Sequence, residues 1–120
     1  MIRRVLLSVA LASLAHAAGA ATASYTATVQ RILVDASSFA GCAAKTTPGP
    51  ETVAGVSCGS GWVTMDCASL LETTSKASAN LLAAAQLAYV TGSPARIVVD
   101  DSKKANGKCL ARQIQNRESS

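Results

Sequence analysis

A mainly β domain of five strands, with a single helix between the third and the fourth, is the fold class this sequence predicts. Three observations predict it. Short runs rich in β-branched residues alternate with Gly, Pro, Asn and Ser clusters. One Ala- and Leu-rich stretch alone carries helical spacing. Four cysteines, Cys42, Cys58, Cys67 and Cys109, are spread through the strand and loop segments.

The chain begins with basic Arg3 and Arg4, an apolar run from Val5 to Leu14, and small residues that offer A-x-A cleavage after Ala17, Ala20 or Ala23. This is the pattern of a secretory signal peptide over residues 1–23. The apolar run is shorter than the roughly 20 residues of a membrane span. The expectation is therefore a secreted or periplasmic protein with no membrane insertion, a domain over 24–115 and a flexible tail over 116–120. Processing removes two of the eleven Lys and Arg and none of the seven Asp and Glu, so the balance falls from +4 to 9 − 7 = +2. That argues against a nucleic-acid partner, which demands a concentrated basic face. The one histidine, His16, leaves as well. Without it the domain lacks the base for Ser/His/Asp or Cys/His catalysis and the imidazole of common metal sites, so neither an enzyme nor a cofactor or metal site is expected.

In an exported domain of this size four cysteines read as two disulfides, with three connectivities open. A four-thiolate zinc site is the competing reading, but the spacings contain no C-x-x-C pair.

Taken in order, Tyr25 to Asp35 mixes alternation with β-branched residues and predicts a long first strand. A turn at 36–38 leads to a second strand over Phe39 to Lys45, with Gly41 marking a bend. Residues 46–61 hold two prolines and four glycines and predict a loop, long enough to be functional or pinned by Cys58. Trp62 to Cys67 predicts the third strand. The helix follows: Ala77, Leu81, Ala84, Ala85 and Ala88 define an inner face widened by Leu82 and Tyr89, with Lys76, Asn80, Ala83 and Gln86 outside. Thr74 or Ser75 can cap its start; Gly92 and Pro94 stop it. Ala95 to Val99 is the fourth strand, residues 100–107 a polar hairpin connection turning at Asn106-Gly107, and Lys108 to Gln115 the fifth. Three strands, a helix and two strands is the order of the OB-fold, a small five-stranded barrel.

The run LLAAAQLAYVTGSPARIVV over 81–99 resembles the helix, turn and strand of the subtilase cytotoxin B-subunit family and of similar small secreted OB-fold proteins. Tyr89 before T-G, the Gly92-x-Pro94 stop, the Arg96-Ile97 pair, and Cys42 and Cys67 carry the resemblance. Cys58 before a G-x-G-aromatic segment and Cys109 in the last strand match related secreted proteins. The resemblance implies bridges Cys42–Cys67 and Cys58–Cys109. In a hairpin of strands two and three, Cys42 would then face Cys67 in the register that sets Lys45 across from Thr64. It also implies glycan recognition by an AB5-toxin-like subunit that assembles as a homopentamer. The family's sugar-contacting serine falls near Thr26, while Val99 stands where the family has a tyrosine.

Three residues are candidates for ligand binding: Thr26 and Arg96 through the resemblance, and Trp62 as an aromatic platform after Gly-Ser-Gly, weighed against core packing. Asp100 and Asp101 read as a solvated turn, because strand neighbours point to opposite faces. Lys103, Lys104 and Lys108 form a small basic cluster that the two aspartates nearly cancel. Leu87 falls on the outer helix face, where it is either a lone exposed leucine or part of a subunit contact. The function expected is a non-enzymatic binding module for a glycan or a partner protein. The alternative is an exported structural or inhibitory protein with no glycan site.

Overall fold

The computed structural model describes residues 21–117. They form β1 (Thr22–Val34), β2 (Cys42–Thr47), β3 (Trp62–Thr64), α1 (Ser75–Thr91), β4 (Ala95–Ala105) and β5 (Lys108–Asn116). The structure is mainly β, with five strands in one sheet, one α-helix and two disulfides. Hydrogen-bonded neighbours run β1-β2-β3-β5-β4, and β4 pairs with β1, so the pairing closes on itself. Every pair is antiparallel except β3 with β5, which meet in parallel at Thr64 and Leu110.

β1 is the strand that bends the sheet. Its ladder to β2 slips between Val29 and Arg31, so Gln30 is an extra residue. Such a bulge reverses which side chains face inward. Ala27 and Val29 are buried before it; after it Arg31 is exposed and Ile32 packs against the core. The interior is filled mostly by small side chains, including Ala27, Ala44, Ala85, Ala88, Ala95 and Ala111, around Met65, Val63, Ile97 and Val99. Alanines at Ala85 and Ala88 let α1 lie close on β1 and β5.

The helix starts and stops as its sequence predicts. Thr74 Oγ1 accepts from the Ala77 N–H at 3.1 Å, and Gly92 takes the left-handed conformation at φ 68° while its N–H donates to the Ala88 carbonyl. Ser78, placed on neither face by the pattern, is buried because its Oγ donates to the Asp66 carbonyl at 2.7 Å. Tyr89 departs from the expected inner face: it is 50% exposed.

Strand bounds differ where backbone conformation overrides side-chain preference. Phe39 and Ala40 do not extend β2. They adopt positive φ of 50° and 56° and form a tight turn with Gly41, closed by the Gly41 N–H donating to the Ser38 carbonyl at 2.9 Å. A Cβ at Gly41 would lie 2.9 Å from the Ala68 backbone nitrogen, so glycine there serves a close approach of chains. β3 ends at Thr64, since Asp66 turns left-handed at φ 57°. The β2–β3 register sets Lys45 across from Trp62 and Ala43 across from Thr64, two residues away from the expected alignment. β1 begins at Thr22, ahead of the expected boundary at 24, and Asn116, expected in the tail, pairs with Ala95 in β5. The segment expected to be a signal peptide, 1–23, lies outside the described residues apart from residues 21–23.

The solvated turn expected at Asp100 and Asp101 is instead β4, which runs on to Ala105 before the Asn106-Gly107 turn. Asp100 is 2% exposed. Its Oδ2 accepts from Arg112 Nε at 2.8 Å and Nη2 at 2.6 Å, and its Oδ1 from the Ser102 N–H and hydroxyl. Burial alone would raise the Asp100 carboxyl, but the Ser102 and Arg112 hydrogen bonds outweigh it and hold the group below its ordinary value. Asp101 faces elsewhere, accepting from the Ala21 and Ser57 backbone amides. The lysine cluster separates too: Lys103 pairs with Glu72 at 3.0 Å, and Lys108 Nζ donates to the Ser60 carbonyl at 2.7 Å.

Candidate functional site

The long 48–61 connection is tied down along its length. Cys58 bonds to Cys109 in β5, and Cys42 at the start of β2 bonds to Cys67. These are the two pairs that the resemblance implies. The Thr46 N–H donates to the Gly61 carbonyl, the Gly61 N–H to Glu51 Oε2, and the Gly59 N–H to the Gly107 carbonyl. The Gly61 amide, foremost, holds the Glu51 carboxyl below its ordinary range. At the other end of the loop Thr46 Oγ1 donates to the Pro48 carbonyl at 3.0 Å. Because that hydroxyl proton is engaged, the Tyr25 hydroxyl must be the donor in its 2.8 Å bond to Thr46 Oγ1. Burial pushes Tyr25 up to about 12, against the lowering effect of the Thr46 bond. The loop is therefore a fixed support, and it delivers Trp62.

Trp62 opens β3 across from Lys45 in β2, and Lys45 lies across from Arg31 in β1. The three form one cross-strand row on the outside of the sheet. Trp62 is half-buried, with its ring stacked on Phe39 at a centroid distance of 5.9 Å and an interplanar angle of 13°. Phe39 reaches that position because its turn is anchored: its carbonyl accepts from Thr64 Oγ1 at 2.6 Å, and the Ala40 carbonyl accepts from the Ala68 N–H at 2.8 Å. Arg31, Ile32, Leu33, Trp62 and Tyr89 line an open groove of about 370 Å³. Neither Arg31 nor Lys45 is in an ion pair among the described residues.

A supported aromatic face beside two cations and a half-exposed tyrosine can stack on a planar or ring-shaped ligand, hydrogen-bond its hydroxyls and attract negative charge. A second cleft of about 210 Å³ lies between the start of α1 and β5, lined by Thr73, Thr74, Ala77, Leu81, Leu110, Ala111 and Arg112. Its one charged group, Arg112, is committed to Asp100, which leaves the cleft little to recognise a ligand with.

Of the candidate residues, the structure brings Thr26 and Arg96 together as cross-strand partners of β1 and β4. Both are exposed, and Arg117 Nη1 donates to Thr26 Oγ1 at 3.3 Å. Trp62 does not join them: Thr26 and Arg31 are five residues apart along β1, about 16 Å in an extended strand. Val99 is fully buried and pairs with Ala23, so the valine side chain makes no contribution to a surface site.

Sequence reasoning missed Arg31, Lys45, Phe39 and Tyr89 as parts of one surface. A signal for Arg31 was present. The adjacent polar pair Gln30-Arg31 interrupts the alternation Tyr25, Ala27, Val29, which is how a bulge reads in sequence. Phe39 left no such signal, because positive φ at a phenylalanine is not a local preference.

No protein-family model, no curated protein and no solved structure matches this chain.

Proposed function

We propose that this protein is an exported, non-enzymatic binding module with an OB-fold barrel, and that its ligand face is the Arg31–Lys45–Trp62 row with the adjoining Tyr89 groove. The fold reading is supported by the strand order, by the helix between β3 and β4 and by the closed pairing. OB-folds use the face of strands 2 and 3 with the β1–β2 loop. Trp62, Lys45 and Phe39 occupy those elements. Export is supported by two disulfides, which persist in oxidising compartments. Among the described residues no helix is long and apolar enough to cross a membrane.

The observation that carries the ligand class is the stacked, half-exposed Trp62 beside two cations that form no ion pair among the described residues. A glycan bearing a carboxylate or sulfate fits it: the indole meets the apolar face of a sugar ring and the cations meet the charge. A partner protein presenting an acidic aromatic or hydroxyl-rich surface is the second ligand of the same face. Thr26 and Arg96, the position taken from the toxin resemblance, form a separate polar patch. Assembly into a ring belongs to this reading through the outer helix face, where Leu87 and Val90 are 54% and 79% exposed.

Trp62 is the only tryptophan, so its fluorescence reports this face alone. The test is a glycan array of oxidised protein, followed by fluorescence titration of the hits. Binding that perturbs Trp62 emission and weakens more than tenfold in Trp62→Ala supports the reading. Hits that leave the emission unchanged, and that Thr26→Val abolishes, transfer the site to the β1–β4 patch. A blank array removes the glycan and leaves the partner protein as ligand of this face, with the structural or inhibitory protein as the alternative.

A further inference from the structure

Asp101 is engaged in a way the ligand face does not explain. Its N–H donates to the Ala21 carbonyl at 3.1 Å, its Oδ1 accepts from the Ala21 nitrogen at 3.0 Å, and its Oδ2 accepts from the Ser57 N–H at 3.1 Å. One carboxylate thus clamps the residue just ahead of β1 and the loop residue before Cys58. Immediately upstream, Ala18-Gly19-Ala20 is an A-x-A cleavage signal whose cut frees the nitrogen of Ala21.

We infer that Ala20–Ala21 is the processing site of this protein and that the α-ammonium created at Ala21 forms an ion pair with Asp101. The inference rests on the export part of the reading above and is independent of the ligand. In the cut a leader peptidase adds water across the Ala20–Ala21 peptide bond. The hydroxyl goes to the Ala20 carbonyl, giving a carboxylate, and the Ala21 nitrogen leaves protonated as an ammonium. A neutral amide donor 3.0 Å from a carboxylate becomes a cation at the same distance, which strengthens the contact.

The other two signals do not fit the fold in this way. Cleavage after Ala23 removes Thr22 and Ala23, which pair with Asp100 and Val99 at the closing edge of the sheet, and removes the partner of Asp101 as well. Cleavage after Ala17 leaves Ala21 inside a peptide bond and gives Asp101 no charge. Only the middle cut keeps every β1–β4 pair and places the new charge on a carboxylate. The amides of Ala21 and Ser57 already hold that carboxyl below its ordinary value, so it is ionised where the ammonium is protonated.

The experiment expresses the whole chain with its leader in a bacterium that exports it, and reads the intact mass and first residue of the protein recovered outside the cytoplasm. Ala21 as first residue is the expected result. A first residue of Ala18 or Ser24 overturns the inference and leaves export standing; a chain that still carries Met1 overturns both. The ion pair is read separately on purified protein beginning at Ala21, with and without α-acetylation, in wild type and Asp101→Asn. Acetylation shifts the urea midpoint down in wild type and leaves it unmoved in Asp101→Asn. An equal shift in both proteins, or none in either, overturns the pairing.

Discussion

Replacing Asp66 by alanine should destabilise this domain more than any other single change to a polar side chain. Asp66 is fully buried, just after β3. Its Oδ1 accepts from the Leu70 N–H at 2.7 Å, and its Oδ2 from the Leu71 and Thr73 amides at 2.9 and 3.0 Å. Its own N–H donates to Thr64 Oγ1, and its carbonyl accepts from Ser78. The side chain thus folds the 66–74 connection around itself, and the backbone joins it to β3 and α1. Hydrogen bonds to a charged group contribute about 1.5–3 kcal/mol each, and their effects are not additive. The freed amides of the half-buried or exposed Leu70, Leu71 and Thr73 can regain water, so the three together amount to about 3–4 kcal/mol. With a urea slope of about 1–1.5 kcal/mol per molar, Asp66→Ala lowers the midpoint by about 2–4 M, and the loss of about 3–4 kcal/mol is a large part of the roughly 5–10 kcal/mol of a small domain. Asp66→Asn separates charge from conformation, because asparagine tolerates the positive φ of 57° at this position. It keeps one accepting oxygen and loses about 1–2 kcal/mol. Equilibrium urea unfolding of the oxidised proteins at constant slope is the assay. A loss of under 1 kcal/mol in Asp66→Ala would refute the claim that this carboxylate organises the connection.

Three other outcomes follow from the same contacts. Removing Cys58 and Cys109 together opens a loop with a separation of 51 residues and should cost about 4 kcal/mol by the chain-entropy relation, against about 3.5 for Cys42 and Cys67 at a separation of 25; thermal melts of the paired serine variants check the order. The folded-state values of Asp100, Asp101, Asp35 and Glu51 are all lowered, so their contribution is present above ordinary carboxylate values and lost as pH falls through the folded ones. Stability should hold from neutral pH down to about 4 and drop below it, with a shallower drop in Asp100→Asn by urea midpoints across pH. Tyr25 runs the other way: raised from 10.0 to about 12, it contributes stability that is whole below 10 and lost as pH rises toward 12. Tyr25→Phe should flatten that alkaline loss and remove a transition near 12 from the 295 nm absorbance titration.

Much of the fold was legible because local chemistry and tertiary environment agree. The helix could be read from its alanine face, its Thr74 cap and its Gly92 stop, and the last hairpin from Asn106-Gly107. The candidate site was much less so. Of its residues only Trp62 stood out, as the one tryptophan. Arg31 and Lys45 are ordinary strand cations until a bulge and a register set them beside it, and Tyr89 sits where helical spacing alone would turn it inward. The paired aspartates show the same limit: adjacency in sequence said they diverge, which they do, but not that Asp100 would be buried against Arg112.

By itself, then, the sequence determined which segments extend, which one coils and where that helix starts and stops, together with a set of four cysteines. Those properties follow from neighbours within a few residues, through side-chain shape, capping oxygens and glycine's conformational freedom. Only the tertiary structure decided that Gln30 is extra in β1, that Phe39 turns left-handed and stacks on Trp62, and that Asp66, Asp100 and Asp101 are structural carboxylates. Apart from Asp66, whose carboxylate holds amides 4 to 7 residues on, each of these depends on a partner 12 to 80 residues away that local preference cannot sense: the Ala68 amide near Gly41, the Arg112 guanidinium at a separation of 12, and the Ala21 nitrogen at a separation of 80.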